Sequence, residues 1–581
     1  MSIFKDLWWF FKLEKKAYIT GVCLLLLVAL LELIPPKIVG YVVDGIRNGT
    51  LTISKLWKVL LLLSAGALLT YIARYIWRIM IFGASVRLAR KLRNHLFEHF
   101  TKMSPSFYQR KRIGDLMAHA TNDLQAVQQT AGTGILTLVD STVTGGFVLL
   151  TMAVTISWKL TLISLLPMPF MALSTSYYGR ILHKRFHTAQ EAFSSLNDKV
   201  QESVSGIKVI KTFGEEAYEI EDFQHQSKDI AAKNIAVAKV DSLFEPTISL
   251  IVGFSFFLAL VFGSRMVIQN EITLGNLISF TTYLGLLIWP MLAFGWLFNI
   301  MERGRASYDR VSSLLAERQE ITEHERGIEI SPKGSLDVGI ASFGYNDQQV
   351  MLKNIYFHLE KGKTLGIIGK TGSGKTTLLK LLLREFGGYK GEIFMGGRLI
   401  EEYSLDALRS SIGYVPQDHF LFSATVADNI AFALPEASGE KIRRAAETAH
   451  IHDDIQEFPD QYETMVGERG VSLSGGQKQR ISIARAILLD PELLILDDSL
   501  SAVDAKTEEA ILQSLKKNRQ GKTTIITSHR LSAIQHADLI VVLDEGEMVQ
   551  SGTHKKLMGQ EGWYQDMYVR QQLENQVELG G

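Results

Sequence analysis

GKTGSGKTT, residues 369–377, is the stretch that decides how the second half of this chain folds. Gly369, Gly374, Lys375 and Thr376 fill the fixed positions of the phosphate-loop pattern G-x-x-x-x-G-K-[ST], with Gly372 as a further glycine between them. The apolar run 364–368 before it predicts a buried strand, and TTLLKLLLREF (376–386) after it predicts a helix. In that setting the glycines let the backbone curl until successive N–H groups point at phosphate oxygens, and the helix N-terminus adds its dipole. The candidate nucleotide-binding set is therefore Gly369, Lys370, Thr371, Gly372, Ser373, Gly374, Lys375, Thr376 and Thr377. Lys375 is placed to reach the outer phosphates of ATP, and Thr376 to offer its hydroxyl to Mg²⁺.

The rest of the chain is of another character. Its 581 residues are too many for a single core. Formal net charge is zero, which gives no basic surface for a nucleic acid partner. Apolar residues make up 47% and charged residues 21%, the balance of a chain that is part membrane and part soluble. The single cysteine, Cys23, excludes an intrachain disulfide and reads as a small buried hydrophobe. MSIFKDLWWFFKLEKK (1–16) reads as an amphipathic helix lying on the membrane.

Six apolar stretches approach the roughly 20 residues a helix needs to cross a bilayer: 18–38, 57–82, 135–156, 160–178, 246–267 and 277–300. Lys and Arg crowd the segments before the first span, between the second and third, and between the fourth and fifth, which places both termini in the cytoplasm. Residues 55–102 keep a helical pattern with no break, on the order of 70 Å, and the same holds from 160 to 204. Such helices run well past the membrane and should end in short turns near 111–117 and 206–216. Glu32 and Asp140 lie within spans, where a carboxylate faces a water-filled cavity or pairs with another helix. Pro290 should kink the last span.

Beyond a polar linker, 306–330, an α/β domain occupies 331–575. Tyr345 is an aromatic placed to stack on a base, and Gln417 follows a short strand, IGYVPQ. Leu473, Ser474, Gly475, Gly476 and Gln477 open a helix, a second glycine-rich loop suited to an anion. ELLILDD predicts a strand ending at Asp497 and Asp498, where one acid can hold Mg²⁺ and a second can orient the attacking water. Ser501, Ala502, Val503 and Asp504 follow, and TTIITSH ends a further strand at His529.

In this order the motifs resemble those of the half-size ABC exporters, and the likeness runs over nearly the whole chain. It implies a multi-domain membrane protein: a six-helix, all-α transmembrane domain over 17–305, then a P-loop nucleotide-binding domain. It also implies that Tyr345, Gln417, Asp497, Asp504 and His529 are the A-loop, Q-loop, Walker B, D-loop and switch residues, with Gln417, like Thr376 and Asp497, near Mg²⁺. Ser474, Gly475, Gly476 and Gln477 are then the signature that closes on ATP held by the other subunit of a dimer. The turns near Gly114 and Phe213 match the family's coupling helices, and Gly467–Gly470 (GERG) the loop that meets them.

One departure stands out. The family's Walker B strand ends in Asp-Glu, whereas Asp498 stands at the second position here. With a carboxylate one methylene shorter there, this chain's own phosphate loop should bind ATP but hydrolyse it slowly. The pattern is similar to the degenerate-site subunit of heterodimeric multidrug exporters, whose partner carries the catalytic Glu. The sequence thus leads to ATP-driven efflux of amphipathic drugs or lipids across the plasma (inner) membrane. A homodimeric lipid or peptide exporter and an ATP-gated channel or sensor are the alternatives.

Overall fold

The computed structural model describes residues 2–321, 327–345, 349–467 and 472–580. It divides into two compact units, one of Met1–Thr101 and Ile113–Glu317, the other of Lys102–Arg112 and Arg318–Gly581.

The first unit is helical throughout. Among the described residues five helices are long and apolar enough to cross a membrane: Lys15–Arg47, Ile53–Lys102, Ile113–Leu165, Glu216–Ile268 and Leu274–Ala316. The apolar stretches of the sequence predict six. The stretch expected to be the fourth is divided between helices Trp158–Leu165 and Met168–Ser205, so the unbroken helix expected over 160–204 is also not found. Pro167 explains the break: it has no N–H to donate, and Leu166 N turns instead to Ile163 O at 3.2 Å. The 50 residues of Ile53–Lys102, by contrast, form one helix of about 75 Å. Helix Ile207–Phe213 and its Gly214 cap (φ 70°) occupy the turn expected at 206–216, and at the other the chain breaks at Lys111 and Arg112, between the short helix Pro105–Arg110 and the long helix that begins at Ile113. The last span is interrupted at Leu287, three residues before Pro290.

Three contacts fix the antiparallel register of the first two spans. Glu14 accepts from Arg87 at 2.8 and 2.9 Å, Gly21 packs on Ile81, and Glu32 pairs with Arg74. Glu32 is therefore matched by a neighbouring helix. Asp140 opens a π-helical turn, Asp140–Thr144, and is half-buried with no side-chain partner among the described residues. The C-terminal half of the first span, Ile34–Arg47, packs on helix Leu274–Leu286, so closely at Gly40 and Gly275 that a Cβ on Gly40 would lie 2.0 Å from Ser279 Oγ. Ser279 and Tyr283 donate to the carbonyls of Pro36 and Leu33 at 2.8 and 2.6 Å, beside the Pro35-Pro36 interruption. Cys23 is exposed, contrary to expectation, because the packed face of its helix is the one carrying Ala17, Gly21, Leu25 and Val28. At the N-terminus the helices Ser2–Asp6 and Trp8–Leu13, with Leu7 between them, bury Ile3, Leu7 and Phe10 and leave Trp8 exposed.

The second unit is built on a ten-stranded mixed sheet. Its parallel centre runs, in spatial order, Leu539–Asp544, Thr364–Gly369, Thr523–Thr527, Leu493–Asp497 and Ile412–Val415. The strands Leu493–Asp497 and Thr523–Thr527 are buried at every position, as apolar strands covered on both faces must be. Antiparallel strands, Leu336–Phe343 with Leu352–Leu359 and Lys390–Met395, extend one side. Helix Lys375–Leu382 stops four residues short of the expected end, where Arg384 adopts φ 47° and donates to the carbonyls of Ile400 and Tyr403.

Candidate nucleotide site

Four adjacent parallel strands release their chains at one edge of the sheet, the edge where open α/β sheets bind ligands. Thr364–Gly369 feeds the phosphate loop, Leu493–Asp497 ends in the acidic pair, Thr523–Thr527 leads to His529, and Ile412–Val415 leads to Gln417. The loop has the conformation its glycines allow. Gly372 and Gly374 have φ of 83° and 96°, and a Cβ on Gly369 would lie 2.0 Å from Leu543 O. Helix Lys375–Leu382 begins directly after Gly374, so its first amides have no acceptors within the helix.

Lys375 is buried. Its Nζ donates to the carbonyls of Gly369 and Lys370 at 2.8 and 2.9 Å. Burial pushes its pKa below the usual lysine range, with Asp498 and Asp497 pulling the other way. Ser373 Oγ is buried beside it with no hydrogen-bond partner. Asp497 is 1% exposed and gathers three hydroxyls: Thr376 Oγ1 at 3.2 Å, Thr527 Oγ1 at 2.8 Å and Tyr414 Oη at 3.3 Å. Burial, then the carboxylate of Asp497, pushes the Tyr414 phenol above its usual range. Asp498 is half-buried with φ 46°, and its N–H is shared between Thr527 Oγ1 (2.9 Å) and Thr527 O (3.1 Å).

Tyr345 donates to Thr377 Oγ1 at 3.0 Å, and its ring meets Phe386 edge-on with centroids 4.9 Å apart, which leaves the tyrosine 40% exposed. Gln417 and His529 are exposed just beyond their strands. Lys370 pairs with Asp544 at 3.5 Å. The signature opens helix Gly475–Leu488 with a capping box: Ser474 Oγ accepts from Gln477 N at 3.2 Å, and Gln477 Oε1 accepts from Ser474 N at 3.0 Å. Gln477 and Arg480 then bind Asp454, so the signature is held within its own part of the unit rather than by the phosphate loop. Asp504 caps helix Ala505–Asn518 through Thr507 N, and Ala502 N donates to Gln479 Oε1 at 3.1 Å. Residues Glu468, Arg469 and Gly470 of the GERG loop lie outside the described residues. Thr527 and Tyr414 were not singled out in the sequence. Each is an ordinary strand residue there, and only the pairing of Thr527 with Asp497 across adjacent strands brings it to the site.

The residues present fit ATP with Mg²⁺. A buried serine hydroxyl without a partner, a lysine folded back onto its own loop and a helix N-terminus with free amides are donors awaiting an anion. No group of three or more His, Cys, Asp or Glu able to hold a metal exists among the described residues. Mg²⁺ suits the pair Thr376 and Asp497, since it keeps waters and takes substrate phosphates as further ligands. Bound ATP would supply the phosphoanhydride bond whose hydrolysis releases the free energy. Lys375 and the amides would hold its charge, and the Thr527 and Tyr414 hydroxyls keep Asp497 in place beside Thr376.

Comparison with known proteins agrees. Residues 18–291 match the ABC transporter transmembrane region, and residues 352–501 match the ABC transporter family. The chain is 47% identical over 573 residues to the probable multidrug resistance ABC transporter ATP-binding/permease protein YheI of Bacillus subtilis, covering 98% of each chain. It is 48% identical over 577 residues to the multidrug resistance-like ATP-binding protein MdlA of Escherichia coli, covering 99% of this chain and 97% of the relative. Among solved structures, a bacterial Atm1-family ABC exporter with ATP bound matches with TM-score 0.79 and 25% identity, over 96% of this chain and 98% of that one. A helical membrane unit and a phosphate-loop ATPase unit on one polypeptide, matched end to end by these relatives, place the chain among the half-size ABC exporters, membrane-spanning transporters that hydrolyse ATP.

Proposed function

We propose that this chain exports amphipathic drugs or lipids across the plasma (inner) membrane by alternating access, as the degenerate-site subunit of a heterodimer. The observation that carries the asymmetry is Asp498, a short carboxylate on a backbone fixed by Thr527, where the family has Glu. The relatives named for multidrug resistance support the substrate class. On this reading the chain crosses the membrane six times with both termini in the cytoplasm, and residues 1–16, 17–305, 306–330 and 331–575 are elbow helix, transmembrane domain, linker and ATPase domain. Tyr345 stacks on the adenine, and Lys370, Thr371, Gly372, Ser373 and Gly374 wrap the phosphates. Thr376, Gln417 and Asp497 surround Mg²⁺, and His529 contacts the γ-phosphate. Ser474, Gly475, Gly476 and Gln477 complete the partner's site, where the partner's Glu carries most of the turnover. ATP closes the ATPase domains, the long cytoplasmic helices transmit the closure, and the spans turn outward.

Uphill, ATP-dependent accumulation of a lipophilic dye in sealed inside-out vesicles is the test. A channel or sensor can only let a gradient run down, so equilibration without accumulation would overturn the export reading.

A further inference from the structure

Gln571 lies on the C-terminal helix Trp563–Gly580, outside every motif of the nucleotide site. Its side-chain amide makes two bonds to the main chain on either side of Arg530. Nε2 donates to His529 O at 2.7 Å, and Oε1 accepts from Leu531 N at 2.9 Å. A carbonyl needs a donor and an N–H needs an acceptor, so these two partners admit only this orientation of the amide. The helix that carries Gln571 is firmly seated. Seven residues earlier, two turns back on the same face, Tyr564 is fully buried. Its hydroxyl lies 2.8 Å from His554 Nδ1, and its N–H donates to Gln550 Oε1 at 3.1 Å.

The intervening Arg530 is tied in the other direction. It donates to Glu508 Oε2 at 3.0 Å and to Val503 O at 3.3 Å, and Glu508 is 3% exposed. Within residues 529–531, one carbonyl, one side chain and one N–H are thus each held by other elements. The His529 imidazole is exposed and makes no bond among the described residues. A short segment with its frame fixed and one side chain left free is suited to presenting that side chain to a ligand.

We propose that Gln571 is a positioning residue for the switch segment, so that the C-terminal helix sets where His529 points. The functional half of this rests on the reading of His529 as the γ-phosphate contact; the structural half does not. Two measurements on the full chain in its transport-competent dimer separate them. The first is amide hydrogen exchange over residues 528–534 in Gln571→Ala and Gln571→Glu. Removing both bonds should speed exchange at Leu531 roughly tenfold. Gln571→Glu, which keeps the acceptor for Leu531 N and loses the donor to His529 O, should stay nearer wild type. Unchanged exchange in Gln571→Ala would overturn the structural half.

The second is ATP turnover in a cycle of Gln571→Ala, His529→Ala and the double variant, each measured in the dimer whose partner carries Gln in place of its catalytic Glu, so that the rate reports this chain's own site. The expected result is a kcat reduced severalfold or more by Gln571→Ala with KM for ATP little changed, and no additional loss in the double variant beyond His529→Ala. Equal losses in both backgrounds would make Gln571 merely structural and overturn the positioning role. Full activity of His529→Ala would remove the switch reading itself, and the functional half with it, while the exchange result would still stand.

Discussion

Replacing Asp498 by Glu should speed hydrolysis at this chain's own phosphate loop. The magnitude follows from how the main chain is held. The Asp498 N–H is shared between the hydroxyl and the carbonyl of Thr527, and its carbonyl accepts from Ser501 Oγ at 2.9 Å. The backbone cannot advance to make up for a short side chain, so the missing methylene, about 1.5 Å, appears in full at the carboxylate. A misplacement of about 1 Å costs on the order of 10²-fold in rate, which is about 2.7 kcal/mol. Part of that gain is lost again because φ is 46° at this position, a conformation Asp adopts more readily than Glu. The expected increase is therefore on the order of tenfold to a hundredfold. Affinity for ATP should stay unchanged, because the Asp498 side chain makes no bond to the phosphate loop among the described residues. The assay is turnover by the purified dimer after the partner's catalytic Glu has been replaced by Gln, so that the remaining rate reports this site. An unchanged rate would refute the argument from reach, as would a rise matched by tighter ATP binding. High turnover by this chain purified alone, with Asp498 in place, would favour the homodimer.

Two other consequences can be measured. Arg74 lies 87 − 74 = 13 residues from Arg87, about 20 Å along one helix, and shares an exposed face with Tyr71, Tyr75 and Arg78. A polar face at that depth belongs beside water, so a double-mutant cycle of Glu32→Gln and Arg74→Gln should give a coupling no larger than about 1 kcal/mol. A value near 3 kcal/mol would place the pair away from water and refute this. At the signature, burial raises the pKa of Asp454, but the bonds from Arg480 and Gln477 outweigh it and leave the pKa below the usual carboxylate value. The stabilisation is then complete above the unfolded pKa of about 3.9 and is lost as pH falls through the lower folded value. The difference in unfolding temperature between wild type and Asp454→Asn should be constant from pH 7 to about 5 and close below about 4; a difference that grows with acid would refute it.

The sequence was most informative where the chemistry is local. The phosphate loop, the signature turn and the apolar Walker B strand each lie within about ten consecutive residues, and each dictates its own backbone: glycines with positive φ at Gly372 and Gly374, a capping box at Ser474, burial at every position of Leu493–Asp497. Pattern failed where the outcome depends on neighbours. A helix-compatible run from 160 to 204, apolar and then amphipathic, says nothing of how the chain resolves the N–H missing at Pro167, and the structure resolves it by ending one helix and starting another. Glu32 could have faced a cavity or a helix until Arg74, 42 residues away, appeared beside it. The same limit applies to the partners of the acidic pair. Thr527 serves both Asp497 and Asp498 because two strands about 30 residues apart in sequence are in register. Gln571 reaches the switch segment across 40 residues. Motifs record groups that must touch the nucleotide. The residues that hold those groups still are set by tertiary register, which leaves no fixed spacing in a single sequence, so the supports of a site become legible only once the sheet is assembled.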